Sequence, residues 1–69
     1  MTITLSRVSI PPWSTIGYGL GVDERGRRVR FASDWRPLRH LGEALTVATE
    51  PIEVEVADWQ LLSIEERSR

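Results

Sequence analysis

The chain has 69 residues, of which 41% are hydrophobic and 28% charged, and its nine basic and ten acidic side chains give a net charge of −1. This length holds one domain, and the composition is globular because disorder requires low hydrophobicity together with a large net charge. The charge excludes a strongly electropositive nucleic-acid binder, and the absence of cysteine excludes disulfides and thiolate metal sites. No apolar run approaches the ~20 residues of a membrane span and the N-terminal residues lack a signal-peptide pattern, so we expect a cytoplasmic protein without membrane contact.

The small size of the chain limits its core. A domain near 60 residues buries only about 60% of the surface of its unfolded chain, so its stability is marginal. One histidine and no cysteine give no basis for a structural zinc site. Self-association or a protein partner would add buried surface, and the composition predicts that the three tryptophans serve mainly as core residues.

The first predicted strand, residues 2–10, changes its alternation midway. Ile3 and Leu5 alternate with polar residues, and the pattern resumes at Val8 and Ile10 with opposite parity. A β-bulge near Ser6–Arg7 would keep all four apolar side chains on one face.

A glycine-alternating hairpin follows. In the second predicted strand, residues 16–22, apolar side chains occupy one face and three glycines the other. The run Asp23-Glu24-Arg25-Gly26 predicts a type I turn closed by a left-handed glycine. The third strand then returns with Val29 and Phe31 inside and Arg28 and Arg30 outside.

The periodicity next changes to that of a helix. Leucine and tryptophan recur at three- and four-residue spacing from Trp35 to Leu45, which predicts an amphipathic helix capped by Ser33 or Asp34 and ending near Thr46. A fourth strand follows Pro51, with Ile52, Val54 and Val56 inside and Glu53 and Glu55 outside. Residues 59–64 are predicted as the fifth strand.

The element order β-β-β-α-β-β predicts a mainly β fold, namely a small five-stranded OB-like barrel with one short helix. The alternative is an α+β fold, in which an open antiparallel sheet packs one helix on one face and exposes its edges. Residues 1–64 form the predicted domain and residues 65–69 a polar tail.

One basic cluster stands out as a candidate binding surface. It lies on the hairpin, and its members are Arg25, Arg27, Arg28 and Arg30. With Tyr18 nearby, such a cluster is typical of surfaces that hold single-stranded nucleic acid, because cations follow the phosphates and rings stack on bases. The alternative is cross-strand pairing with Glu53 and Glu55, which requires that the two strands be neighbours. Phe31 points away from the arginine face by alternation.

Trp13 is a second candidate for binding. It follows Pro11 and Pro12 in a stiff loop, where a rigid aromatic side chain can anchor a partner protein or a base. The competing interpretation, which composition slightly favours, folds the indole back onto the core.

The sequence offers no catalytic, cofactor or metal site. The glycine run from Gly17 to Gly21 lacks the third glycine of a dinucleotide fingerprint, since Val22 occupies that position. Ser33, Asp34 and His40 do not form a triad, because helix capping already accounts for the first two.

We therefore expect a non-enzymatic binding module without cofactor or small-molecule substrate. The sequence slightly favours protein–protein interaction as its mode of action, either by self-association or as a subunit of a larger assembly. Binding of single-stranded RNA or DNA by the Arg25–Arg30 hairpin is the alternative.

Overall fold

The computed structural model describes residues 1–65 as one antiparallel sheet with a helix on one side. Its elements in chain order are β1 (Thr2–Ser9), β2 (Ile16–Val22), β3 (Arg28–Asp34), α1 (Trp35–Val47), β4 (Ile52–Glu55), a 3₁₀ turn (Asp58–Gln60) and β5 (Leu61–Glu65). The strand order is β4-β1-β2-β3-β5. The mainly β class with one helix is confirmed. Within the described residues β4 and β5 are not paired, so the sheet is open, as in the alternative prediction, and closure into a barrel is not found.

The predicted bulge in β1 is confirmed. The register between β1 and β2 shifts between Leu5 and Arg7, so that Ser6 is the extra residue. Ile3 and Leu5 are buried before the bulge, and Val8 packs against the same core after it. The bulge therefore keeps both halves of β1 facing the helix.

The predicted β2–β3 turn is also confirmed. The N–H of Gly26 donates to the carbonyl of Asp23 at 3.0 Å, and Gly26 has a φ of +77°, in the left-handed region that glycine adopts without strain. The N–H of Asp23 in turn donates to the carbonyl of Arg27 at 3.0 Å, which closes the hairpin.

The glycines of β2 face the core, and its larger side chains face away from the helix. A Cβ at Gly17 would lie 2.9 Å from Leu38, and one at Gly19 would overlap the ring of Phe31. At Gly21 the carbonyl oxygen of Thr4 occupies the same space. The helix and the neighbouring strands therefore lie directly on the backbone of β2, which forces its apolar side chains to the opposite face.

Helix α1 covers the core side of the sheet, as its periodicity predicts. Leu38 is fully buried, and Leu41 and Leu45 pack against the buried cluster. Asp34 stands at the N-cap position, but its side chain makes no capping hydrogen bond, contrary to the capping role predicted for this residue or Ser33. None of the helices in residues 1–65 is long and apolar enough to cross a membrane.

The two edge strands differ in how well the sequence predicts them. Ile52 and Val54 are half-buried beside Ile3 and Leu5, and Val56 is buried, as predicted. The predicted start of β5 at Trp59 is wrong, because Trp59 lies in the 3₁₀ turn. There the N–H of Gln60 donates to the carbonyl of Ala57, and the Gln60 side chain accepts from the N–H of Ala57 at 3.0 Å. The predicted tail begins at Glu65, which belongs to β5, and its remaining residues lie outside the described ones.

Candidate binding surface

The side of the sheet away from α1 carries a cluster of apolar, aromatic and basic side chains from three neighbouring strands. We call this cluster the outer face, and its members are Arg7, Tyr18, Leu20, Val22, Arg28 and Arg30. The strand register brings them together, because Leu20 is the partner of Arg7 on one side and of Arg30 on the other. Val22 is likewise the partner of Arg28. With strands ≈ 4.8 Å apart, the backbones of Arg7 and Arg30 lie roughly 10 Å from each other on either side of Leu20.

A groove runs along this surface. Its volume is about 550 Å³, and its walls include Arg7, Arg28 and Arg30 around the side chains of Leu20 and Val22. Leu20 is half-buried at its floor, whereas Val22 is exposed to 38%. The groove thus combines an apolar floor with walls that carry three arginines and one glutamate, Glu65.

Tyr18 and Arg30 form a stacked pair beside the groove. The guanidinium carbon of Arg30 lies 5.3 Å from the centroid of the Tyr18 ring, within the range of a cation–π contact. Tyr18 is half-buried and Arg30 exposed. The exposed guanidinium of Arg30 therefore covers one face of the Tyr18 ring and presents its own outer face to an aromatic ligand.

The arginines of the outer face have no carboxylate partner in the part of the chain that the structure describes. Among residues 1–65, no ion pair involves Arg7, Arg28 or Arg30. Glu65 lies opposite Arg28 in the β3–β5 register and lines the groove, but the two side chains do not form an ion pair. Within residues 1–65, the charges of these three cations are therefore not neutralised by an ion pair.

The predicted alternative for these arginines, pairing with Glu53 and Glu55, does not occur. Strand β4 pairs with β1, and two strands separate it from β3. Glu55 instead accepts hydrogen bonds from the amino group of Met1 at 2.7 Å and from the hydroxyl of Thr2 at 2.9 Å. These hydrogen bonds, with that of the amino group the stronger, lower the pKa of the Glu55 carboxyl below its ordinary value.

The other two arginines of the predicted cluster lie in the turn and not on the outer face. Arg27 donates from its Nε to Oδ2 of Asp23 at 2.7 Å, and the backbone N–H groups of Arg25 and Arg27 both donate to Oδ1 at 2.9 Å. Burial of Asp23 acts to raise the pKa of its carboxyl, but the hydrogen bonds from Arg27 and Arg25 outweigh it and lower that pKa. Arg27 thus serves the turn, while the side chain of Arg25 is exposed.

Trp13 lies in the loop between β1 and β2 and is 95% exposed. The N–H of Ser14 donates to the carbonyl of Pro11 at 3.1 Å, which closes a tight backbone turn that contains Trp13. The core role that composition favours is therefore wrong for Trp13. It is wrong also for Trp59, which is 83% exposed, whereas Trp35 at the start of α1 is half-buried.

Sequence reasoning identifies Tyr18, Arg28 and Arg30 but misses Arg7 and Trp59. The signal for Arg7 is the parity change in β1, because a residue next to a bulge is re-aimed. Its significance appears only with the pairing of β1 and β2. Trp59 carries no distinguishing signal, since an aromatic residue before Leu61 and Leu62 fits the pattern of a strand.

Comparisons with known proteins add no family to this description. No protein-family model, no curated protein and no solved structure matches the chain. In the described part of the chain, no group of three or more histidine, aspartate or glutamate side chains is placed to hold a metal ion. The physical character of the outer face is therefore the basis for assigning a function.

Proposed function

We propose that the chain is a non-enzymatic binding module that holds single-stranded nucleic acid on the outer face of its sheet. The observation that carries the proposal is the Arg30–Tyr18 stack at the side of the groove that Arg7, Arg28 and Arg30 line, with no ion pair to these arginines within residues 1–65. Surfaces that bind single strands combine cations along the phosphate backbone with aromatic groups under the bases.

The shape of the surface favours a single strand over a duplex. Tyr18 and Leu20 belong to a sheet face, where a flat apolar floor can accept the face of a base. In a duplex the base faces are covered by stacking, whereas in a single strand they are free to stack on tyrosine or on the planar guanidinium of arginine. The three arginines then contact the phosphates on either side.

The non-enzymatic part of the proposal follows from the ionisable groups. Asp23 and Glu55 are carboxylates with lowered pKa values, and hydrogen bonds account for both: those from the backbone and side chain of Arg27 and the backbone of Arg25 at Asp23, and those from the terminal amino group and the Thr2 hydroxyl at Glu55. Neither residue lines the groove of the outer face. These two carboxylates therefore lie away from this surface, which supports a binding role over a catalytic one.

Protein–protein interaction is the second candidate, and the exposure of Trp13 favours it. A 95% exposed indole in a tight turn can insert into a pocket of a partner at little entropic cost. Within the described residues β4 and β5 are also open edges, which can pair with a strand of another chain.

The test is the salt dependence of binding to a labelled single-stranded oligonucleotide of mixed sequence, followed by fluorescence anisotropy. Three phosphate contacts predict that log K falls with log salt concentration with a slope of about −2. The double variant Arg28→Ala/Arg30→Ala should bind more weakly, with a slope of about −0.7.

The matched control is Arg36→Ala/Arg39→Ala. It removes the same charge from exposed positions of α1, on the opposite side of the sheet, and should leave the slope unchanged. Equal affinities and slopes for the Arg28→Ala/Arg30→Ala variant and the wild type would contradict the proposal.

A further inference from the structure

A small pocket adjoins the outer face at the end where β2 begins and β3 ends. Its volume is about 140 Å³, and its lining residues are Ile16, Ala32, Ser33, Asp34, Trp59 and Gln60. Ile16 and Asp34 are register partners, so their side chains project side by side from the same face. Ile16 is 46% exposed and Trp59 83% exposed, which gives the pocket two apolar walls open to solvent.

The carboxylate of Asp34 makes no contact that stabilises the fold within the described residues. It stands at the N-cap of α1 without making the capping hydrogen bond, and no ion pair or other hydrogen bond involves its side chain among residues 1–65. An aspartate at this position ordinarily accepts from the first backbone N–H groups of the helix. Here Asp34 lines the pocket together with Trp59.

Gln60 supplies a hydrogen-bond donor, whereas the carboxylate of Asp34 supplies acceptors. Its side-chain oxygen accepts from the backbone N–H of Ala57 at 3.0 Å, which fixes the carboxamide. The amide nitrogen makes no hydrogen bond within the described residues and is left as a donor at the pocket. The pocket therefore presents an aromatic wall, a pair of carboxylate acceptors and an amide donor.

This set matches one edge of one nucleobase. The Watson–Crick edge of guanine carries two adjacent donors, N1–H and the N2 amino group, next to the O6 acceptor, and it is the edges of unpaired bases that proteins read in single strands. A carboxylate can accept from both donors at once, while adenine, thymine and uracil offer only one donor on this edge.

We propose that the pocket formed by Trp59, Ile16 and Asp34 binds one base of the bound strand and selects guanine. This inference rests on the proposed nucleic-acid function and adds base specificity to it. Ala32, which lines the pocket, is the register partner of Tyr18, so the pocket lies next to the stacking site. Ile16 is two residues from Tyr18 on the same face, roughly 7 Å along the strand.

The experiment measures the affinity of the full chain for octathymidylate and for the same oligonucleotide with a single central guanine, adenine or hypoxanthine. The wild type should bind the guanine oligonucleotide about tenfold more tightly than octathymidylate, within the range of a bidentate base contact. Hypoxanthine, which lacks the N2 amino group, should lose most of this preference.

Asp34→Asn should abolish the preference for guanine without weakening binding to octathymidylate, because the Asp34 side chain makes no capping hydrogen bond that the substitution could remove. The matched control is Asp58→Asn, which removes the same charge next to Trp59 from an exposed residue that does not line the pocket. That variant should keep the preference.

The outcomes separate the two proposals. If the wild type binds all four oligonucleotides equally, or if Asp58→Asn loses the preference as fully as Asp34→Asn, the assignment of the pocket is overturned while the proposed function stands. If the wild type binds none of them at low salt, the proposed function itself fails, and the pocket assignment fails with it.

Discussion

Replacing Gly19 with alanine tests the close packing of the core against the backbone of β2. A Cβ at this position would overlap three atoms of the Phe31 ring, which is itself buried and cannot swing away into solvent. Overpacking of a core destabilises the folded state by about 1–3 kcal/mol. Replacing glycine with alanine also restricts the unfolded chain, which stabilises the folded state by about 0.4–1 kcal/mol. We expect a net loss of about 1–2 kcal/mol in the free energy of unfolding, and hence a fall in Tm of roughly 5–15 °C.

The assay is thermal and urea unfolding followed by far-UV circular dichroism. Gly42→Ala is the matched control, because a Cβ there would meet only Val8 at 3.8 Å, an ordinary contact, and alanine should stabilise the helix by up to ~1 kcal/mol. In a Phe31→Leu background, Gly19→Ala should cost less, since the ring it collides with is gone. A Gly19→Ala chain as stable as the wild type, or an equal cost in both backgrounds, would refute the packing described here.

Three further predictions concern other parts of the molecule. Leu38→Ala should lower the free energy of unfolding by about 2–5 kcal/mol, because it leaves a cavity in place of a fully buried side chain. A smaller loss in urea unfolding would mean that Leu38 does not anchor α1 to the sheet. Trp13→Ala should change stability by less than about 0.5 kcal/mol. If light scattering gives the variant the same assembly state as the wild type, self-association through Trp13 is ruled out. Hydrogen bonds hold the pKa of folded Asp23 below its unfolded value, so its stabilisation is complete above the unfolded pKa and is lost as pH falls through the folded one. The decrease in stability between about pH 5 and about pH 2 should therefore be smaller for Asp23→Asn than for the wild type, and equal decreases would contradict this role of Asp23.

The features of the fold that depend on residues close together in the sequence are predictable from the sequence. The bulge at Ser6 follows from the parity of β1, and the turn closed by Gly26 follows from its own four residues. Which face of β2 lies against the core is not predictable in this way. The alternation separates the glycines from the apolar side chains, but it does not say which of the two sets faces inward. Only the positions of Phe31 and Leu38 over the glycines decide that the apolar residues of β2 lie outside.

The candidate surface was predictable to the same extent. Tyr18 and the arginines of β3 share a hairpin, so local alternation places them together. Arg7 joins them through the pairing of β1 with β2, which a single sequence does not specify. The preference of aromatic residues for strands predicts a strand at Trp59, whereas the hydrogen bonds between Ala57 and Gln60 form a 3₁₀ turn there.

The extra residue in β1 gives this strand a tolerance to changes in length that a regular strand lacks. Deleting Ser6 from the chain would place Arg7 directly after Leu5, and strict alternation would then keep Leu5 inside, Arg7 outside and Val8 inside. Such a deletion inverts one half of an unbulged strand, but here it removes only the irregularity and the 3.1 Å hydrogen bond from the Ser6 hydroxyl to the Leu20 carbonyl. The bulge can thus be removed while the charge of Arg7 stays on the outer face.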